Sequence, residues 1–282
     1  MKYRGFVILG GGEPTLSRHF IPLIRHIKKL YPAWKIGVIT NGTLLSKLID
    51  ENLNDLQSVS FQISLDGATE ATHDPIRGAG SFSKAITSVK KLSALGIDVG
   101  TITILSKRTS TEIESFFKLA NLLSVRDHSF TRFIELGYGI KHVSEGQDRA
   151  LLPLELRESY LRILAGAARF KIATNTSLPL FNLIYPSLGR SGRFWEGLGV
   201  DHKGNILLTS KSQIILGNVK TDNLEKVFLN HPTLRKLRVG KIKECAGCKF
   251  LYSCGGDRNA AYALNGDILG ADPGCWININ VS

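Results

Sequence analysis

At 282 residues the chain exceeds a typical single domain, so one large domain, or a large one with a small one, is expected. Hydrophobic residues make up 43% and charged residues 21%, which supplies a core and argues against global disorder. No run reaches the roughly 18 uncharged apolar residues of a bilayer span, and Phe6-Val7-Ile8-Leu9 is too short for a signal-peptide core, so no membrane contact is expected and the cytoplasm is the default compartment. The 36 basic and 24 acidic residues leave a net charge of +12. That permits a nucleic acid, an acidic peptide or an anionic cofactor without choosing among them. An RNA-binding zinc protein is the weakest reading, because aromatic-basic motifs are missing.

Residues 4–9 read as a buried strand ending at Gly10-Gly11-Gly12. Ser17 then reads as the cap of a helix whose buried face is Phe20, Leu23, Ile24, Ile27 and Leu30, closed by Pro32. The unit repeats as strand 35–40 and helix 44–56, strand 58–65 and helix 81–95, strand 98–105 and helix 111–123, strand 129–134 and helix 154–170. Nearly continuous apolar strands alternating with amphipathic helices predict a parallel α/β sheet, and five successive units favour a barrel or a barrel-like curved sheet. Chemistry is then expected at the carboxyl ends of the strands. The periodicity fails from about 175 to 197, and beyond it 199–208 reads as a hairpin with a Gly204-Asn205 turn, followed by short helices from Leu224 and Thr233. The expected division is 1–175, a connection 176–195, and a smaller domain 196–282.

All four cysteines, Cys245, Cys248, Cys254 and Cys275, fall near the carboxyl end in the pattern C-x2-C-x5-C-x20-C. In a reducing compartment such crowding points to metal ligands rather than disulfides. Four thiolates suit a [4Fe–4S] cluster or a tetrahedral zinc, and unligated buried thiols stay open as a third reading. Only Cys245 and Cys248 form a short chelating pair, whereas zinc sites usually bring two.

Three strand ends carry polar-glycine turns: Gly10-Gly11-Gly12-Glu13, Thr40-Asn41-Gly42 and Ser64-Leu65-Asp66-Gly67. Each alone is an ordinary turn that glycine tolerates. Three at equivalent positions are better explained by one shared ligand at the mouth of the barrel.

Together with His73-Asp74-Pro75-Ile76-Arg77-Gly78, these turns resemble the radical S-adenosylmethionine (radical SAM) enzymes. Cys245-Ala246-Gly247-Cys248, Tyr252-Ser253-Cys254-Gly255-Gly256-Asp257-Arg258 and Asp272-Pro273-Gly274-Cys275 resemble their SPASM or twitch auxiliary-cluster domain. The resemblance implies a partial (β/α)6 TIM-like radical SAM barrel without its first βα unit, plus a small carboxyl-terminal SPASM/twitch domain. It further implies that Gly11, Gly12 and Glu13 hold the amino end of S-adenosyl-L-methionine, that Thr40 and Ser64 lie along its cleft, and that Arg77 pairs with its carboxylate. Cys245, Cys248, Cys254 and Cys275 would hold a [4Fe–4S] auxiliary cluster.

Two departures accompany the match. Where a full seven-cysteine SPASM pattern has more ligands, this chain has Arg258 and the Leu207-Leu208-Thr209-Ser210 segment, so one auxiliary cluster is expected, not two. The C-x3-C-x2-C loop that carries the second, catalytic [4Fe–4S] cluster in the family has no counterpart before Cys245, which points to a misplaced start, a truncated gene or a cluster-less relative. The implied activity of the intact parent is that of a maturase using a 5′-deoxyadenosyl radical on a peptide, protein or cofactor precursor, with an electron donor as a second partner. The alternative is a non-catalytic accessory chain that binds the precursor or a catalytic homologue. Nucleic acid is disfavoured as a partner.

Overall fold

The computed structural model describes residues 5–174, 178–186, 188–192, 197–212 and 214–277. Five strands, β1 (Phe6–Leu9), β2 (Lys35–Thr40), β3 (Val59–Ser64), β4 (Val99–Leu105) and β5 (His128–Arg132), form one sheet in the order β1-β2-β3-β4-β5. The first four pair in parallel, with Thr40 beside Ile63 and Ile63 beside Thr101. Between the strands lie α1 (Phe20–Leu30), α2 (Leu45–Leu56), α3 (Glu70–Arg77), α4 (Ser81–Ala94) and α5 (Ile113–Leu122), and after β5 come α6 (Tyr138–Ser144) and α7 (Pro153–Phe170).

The sequential strand order has a direct physical consequence. When every right-handed crossover steps to the next strand in one direction, all the helices fall on one face of the sheet. Alternation then sorts the side chains. Ile36, Val38, Thr40, Val59, Phe61, Ile63, Val99, Thr101 and Thr103 are buried on the helix face. Ile39, Gln62, Ser64 and Ile102 point the other way and stay partly open, and on β1 Phe6 is 60% and Ile8 56% exposed. The α/β barrel-type sheet read from the apolar runs is the observed one, and its other face, half-buried at Ile39, Gln62, Ser64 and Ile102, lies beside the strand ends.

Among α1 to α7, two helices escape the sequence reading. The α3 run is polar and contains Pro75, yet a capping box between Thr69 and Thr72 starts it; α6 is a seven-residue stretch opened by Gly137. Ser17 does not cap α1. Its hydroxyl accepts from His19 N at 3.2 Å and its carbonyl from Phe20 N at 2.9 Å, so it makes the turn before the helix, and His19 is the cap residue.

By its internal contacts the chain divides into two compact units, one holding the chain through Ile104 with 109–130 and 162–175, the other holding 105–108, 131–161 and the chain from 176. In the second unit β6 (Gly199–Val200), β7 (Asn205–Leu207) and β8 (Ile215–Asn218) form an antiparallel sheet. The hairpin turn spans Asp201–Gly204 rather than Gly204-Asn205, because the Asp201 carboxylate accepts from the Lys203 and Asn205 amides at 2.8 and 2.9 Å. Helices α8 (Leu224–Asn230), α9 (Pro232–Arg238) and α10 (Arg258–Asn265) follow. A small core joins Ile206, Leu208 and Leu216 to Leu234, Leu237 and Ile268. Of the expected connection 176–195, residues 176, 177, 187 and 193–195 lie outside the described residues. Of the rest, Leu178, Leu180, Phe181 and Asn182 are buried.

Candidate functional site

At the carboxyl ends of β1 and β2 the Glu13 carboxylate ties the two strands together. Its Oε1 accepts from Thr15 N at 3.0 Å and Thr40 Oγ1 at 2.6 Å, and its Oε2 from Asn41 N at 2.8 Å. The side chain expected to receive an ammonium group is thus engaged in holding the loop. Thr40 is 2% exposed on the helix face and serves Glu13. Ser64, one register step on, lies on the open face, so these two residues do not line one wall.

The glycine loop itself is open. Gly11 has φ of +119°, which an L side chain rarely adopts, and a Cβ built on Gly11 or Gly12 would meet nothing within 4 Å. What this loop offers a ligand is unshielded backbone. Gly67 has a different explanation: a Cβ there would stand 2.2 Å from His73 N, so glycine is needed for α3 to dock.

The His73–Gly78 motif is bound up with Asp66. Asp66 N donates to His73 Nδ1 at 3.2 Å, and Asp66 Oδ1 accepts from Ile104 N at 2.9 Å. Burial first, then the neighbouring Arg77 charge, lowers the His73 pKa, in keeping with a neutral ring that accepts. Asp74 accepts from the Phe82 amide at 2.8 Å and so fixes the start of α4. Arg77 Nε donates to Asp66 Oδ2 at 2.6 Å. Its two terminal nitrogens make no hydrogen bond to a described residue, which leaves the guanidinium fork oriented and available to a carboxylate.

In the second unit Cys245, Cys248, Cys254 and Cys275 line one cavity together with Leu180, Leu183, Phe250, Leu251, Ile277 and Asp272. Two of the sulfurs accept backbone amides: Phe250 N to Cys248 Sγ and Gly256 N to Cys254 Sγ, both at 3.4 Å. Burial pushes the Cys254 thiol up to about 12, with the Gly256 amide opposing it, and raises Cys245 against the pull of Arg258. Without a metal Cys245 and Cys254 stay protonated near neutral pH. Among the described residues no group of three or more His, Cys, Asp or Glu side chains is placed to hold a metal ion. Four thiols lining one cavity are a donor set that suits a [4Fe–4S] cluster or a tetrahedral zinc.

The surroundings of this cavity were invisible to spacing arguments. Asp272 forms a buried pair with Arg132 at 2.6 Å, with the two side chains 1% and 5% exposed. It also accepts from Asp257 N at 2.7 Å and Gly274 N at 2.8 Å, which sets the turn carrying Cys275. The Asp272-Pro273-Gly274 composition signals that turn; nothing in the sequence signals Arg132. Asn182 fastens the 178–192 segment to the cysteine loop by donating to Gly189 O at 2.9 Å and Ser253 O at 2.7 Å. Where the family pattern has further cysteines, Thr209 Oγ1 donates to Asn259 Oδ1 at 2.6 Å and accepts from Ser212 N at 2.9 Å, and Arg258 is buried at 2% exposure.

Comparison with known proteins adds the following. Residues 1–120 match the model of the Radical SAM superfamily. The chain is 29% identical over 280 residues to the mycofactocin maturase MftC of Mycobacterium ulcerans (strain Agy99), covering 96% of this chain and 74% of that protein. It is 25% identical over 291 residues to the AdoMet-dependent heme synthase of Methanosarcina barkeri (strain Fusaro / DSM 804), covering 95% and 81%. Among solved structures, Streptococcus suis SuiB bound to S-adenosylmethionine superposes with a TM-score of 0.72 at 17% identity, over 96% of this chain and 66% of that one. SuiB bound to the precursor peptide SuiA gives 0.64 at 16% identity, over 98% and 62%. At these identities the structural likeness speaks to the fold.

Proposed function

We propose that residues 1–282 are the barrel and auxiliary-cluster portions of a radical SAM maturase of the SPASM or twitch type, acting on a peptide or a cofactor precursor. One observation carries the reading: four thiols separated by up to 30 residues in sequence line a single cavity, two of them accepting backbone amides. The match of residues 1–120 to the superfamily model supports it from the other end of the chain. In this reading residues 1–175 are the barrel portion and 196–282 the auxiliary-cluster portion.

In this reading Cys245, Cys248, Cys254 and Cys275 hold one [4Fe–4S] cluster, which when bound supplies one-electron transfer. The open backbone of Gly11 and Gly12 receives the amino end of S-adenosylmethionine, Glu13 holds that loop in place through Thr40 and Asn41, and the terminal nitrogens of Arg77 receive the carboxylate. Ser64 and the open face of β1 to β4 form the floor under the ligand and keep water from it. The relatives' names divide between a maturase and a heme synthase, so the precursor's chemical class stays a choice between peptide and cofactor intermediate.

Anaerobic reconstitution with iron and sulfide, followed by metal analysis, tests the cluster. The expected result is about four irons per chain and a broad thiolate-to-iron absorption. Stoichiometric zinc with no such absorption overturns it. A second reading, an accessory chain that binds a precursor without cleaving S-adenosylmethionine, draws on the absence of any cysteine before Cys245 in these residues.

A further inference from the structure

Arg258 is the largest fully buried side chain of the second unit, 2% exposed. Its Nε donates to Gly256 O at 3.2 Å and its Nη1 to Ile268 O at 3.2 Å and Gly270 O at 2.7 Å, all neutral carbonyls. Its Nη2 is buried with no hydrogen-bond partner. No described carboxylate forms an ion pair with it: Asp272 is taken by Arg132, and Asp267, which feels the Arg258 charge only through space, is taken by Lys243. Arg258 also opens α10, where the helix N-terminus disfavours a cation.

A buried, unpaired cation is among the most costly features a fold can carry, so an anion is expected beside it. The Nη2 side lies against Gly256, 2.4 Å from where a Cβ on that residue would stand, and Gly256 is part of the wall of the cysteine cavity. Four thiolates around a 2+ iron–sulfur core carry about −2. We infer that Arg258, standing where the family pattern has a cysteine, is the counter-charge of the cluster held by Cys245, Cys248, Cys254 and Cys275 and sets its reduction potential. This rests on the cluster reading above. Arg258 is a positioning and tuning residue rather than a ligand: the guanidinium lowers the cost of adding an electron to an already negative cluster, and removing it leaves the four sulfur ligands in place.

The test compares reconstituted wild type with Arg258→Gln, which keeps donors for the carbonyls and drops the charge, and Arg258→Lys, which keeps the charge. Iron content and the reduced-to-oxidised ratio at fixed ambient potential are measured by redox titration followed by electron paramagnetic resonance. R258Q is expected to bind the same iron, with that ratio lowered about tenfold, or about 59 mV for one electron. R258K is expected to stay within about threefold of wild type. Without metal, R258Q is expected to be at least as stable as wild type by urea unfolding, because the charge it lacks is uncompensated there. An unchanged ratio in R258Q, an equal fall in R258K, or a metal-free R258Q that fails to fold overturns the role assigned to Arg258 alone. Wild type that takes up no iron overturns the cluster reading itself, and this role with it.

Discussion

His128 sits on the helix face of β5 with Nδ1 2.8 Å from Thr101 Oγ1 and its ring stacked 5.3 Å from Phe116, and burial drops its pKa from 6.5 to about 3. Between those values the unfolded chain binds a proton that the native chain refuses. Stability therefore falls as pH falls from about 6.5, by about 1.4 kcal/mol for each unit, and the loss is complete only near the native value. Histidine-to-glutamine substitution at 128 keeps polar atoms for Thr101 and removes the titration. Urea midpoints for wild type and H128Q at pH 7, 6 and 5 are expected to diverge, the wild type falling steeply and H128Q keeping a small slope from His73, whose pKa is also lowered by burial. Equal slopes would mean that the buried His128 ring does not govern the acid sensitivity.

At the scale of elements, strands β1 to β5 and the long helices were legible because an apolar run or a 3.6-residue stripe is visible in a short window. The cysteine set was legible for the same reason. What escaped depends on partners far along the chain: Arg132 meets Asp272 across 140 positions, and Asn182 meets Ser253 across 71. Helix α3 escaped because its start is coded by two threonine hydroxyls rather than by an apolar stripe. Among the glycine turns, the sequence reading treats Gly12 and Gly67 alike, and the structure separates them. A Cβ at 12 meets nothing within 4 Å, whereas at 67 it meets the α3 backbone at 2.2 Å. G12A is accordingly expected to unfold within about 0.5 kcal/mol of wild type and to bind S-adenosylmethionine more weakly. G67A is expected to lose about 1–3 kcal/mol. Urea unfolding with calorimetric titration of S-adenosylmethionine checks both; a destabilised G12A with unchanged affinity would remove the loop from the proposed site.

At the scale of the whole molecule, the cysteine inventory decides what these residues do by themselves. All four cysteines of the chain line one cavity in the second unit, so a cluster there has every iron capped by a thiolate. Reductive cleavage of S-adenosylmethionine needs an iron with a vacant position, held close enough for its amino and carboxylate groups to chelate, because electron transfer to the sulfonium depends on that contact. The proposed strand-end site in the first unit would offer oriented backbone, the Arg77 fork and a half-buried sheet face, but no thiol. Residues 1–282 are therefore expected to bind S-adenosylmethionine and to release no 5′-deoxyadenosine under dithionite, even with the cluster fully loaded. A polypeptide that carries in addition a further strand and a C-x3-C-x2-C loop would supply an iron with a vacant position. Chromatographic measurement of 5′-deoxyadenosine from both polypeptides tests the account: release confined to the extended chain is the expected result, and turnover by residues 1–282 alone would show that cleavage needs no iron site beyond the one formed by Cys245, Cys248, Cys254 and Cys275.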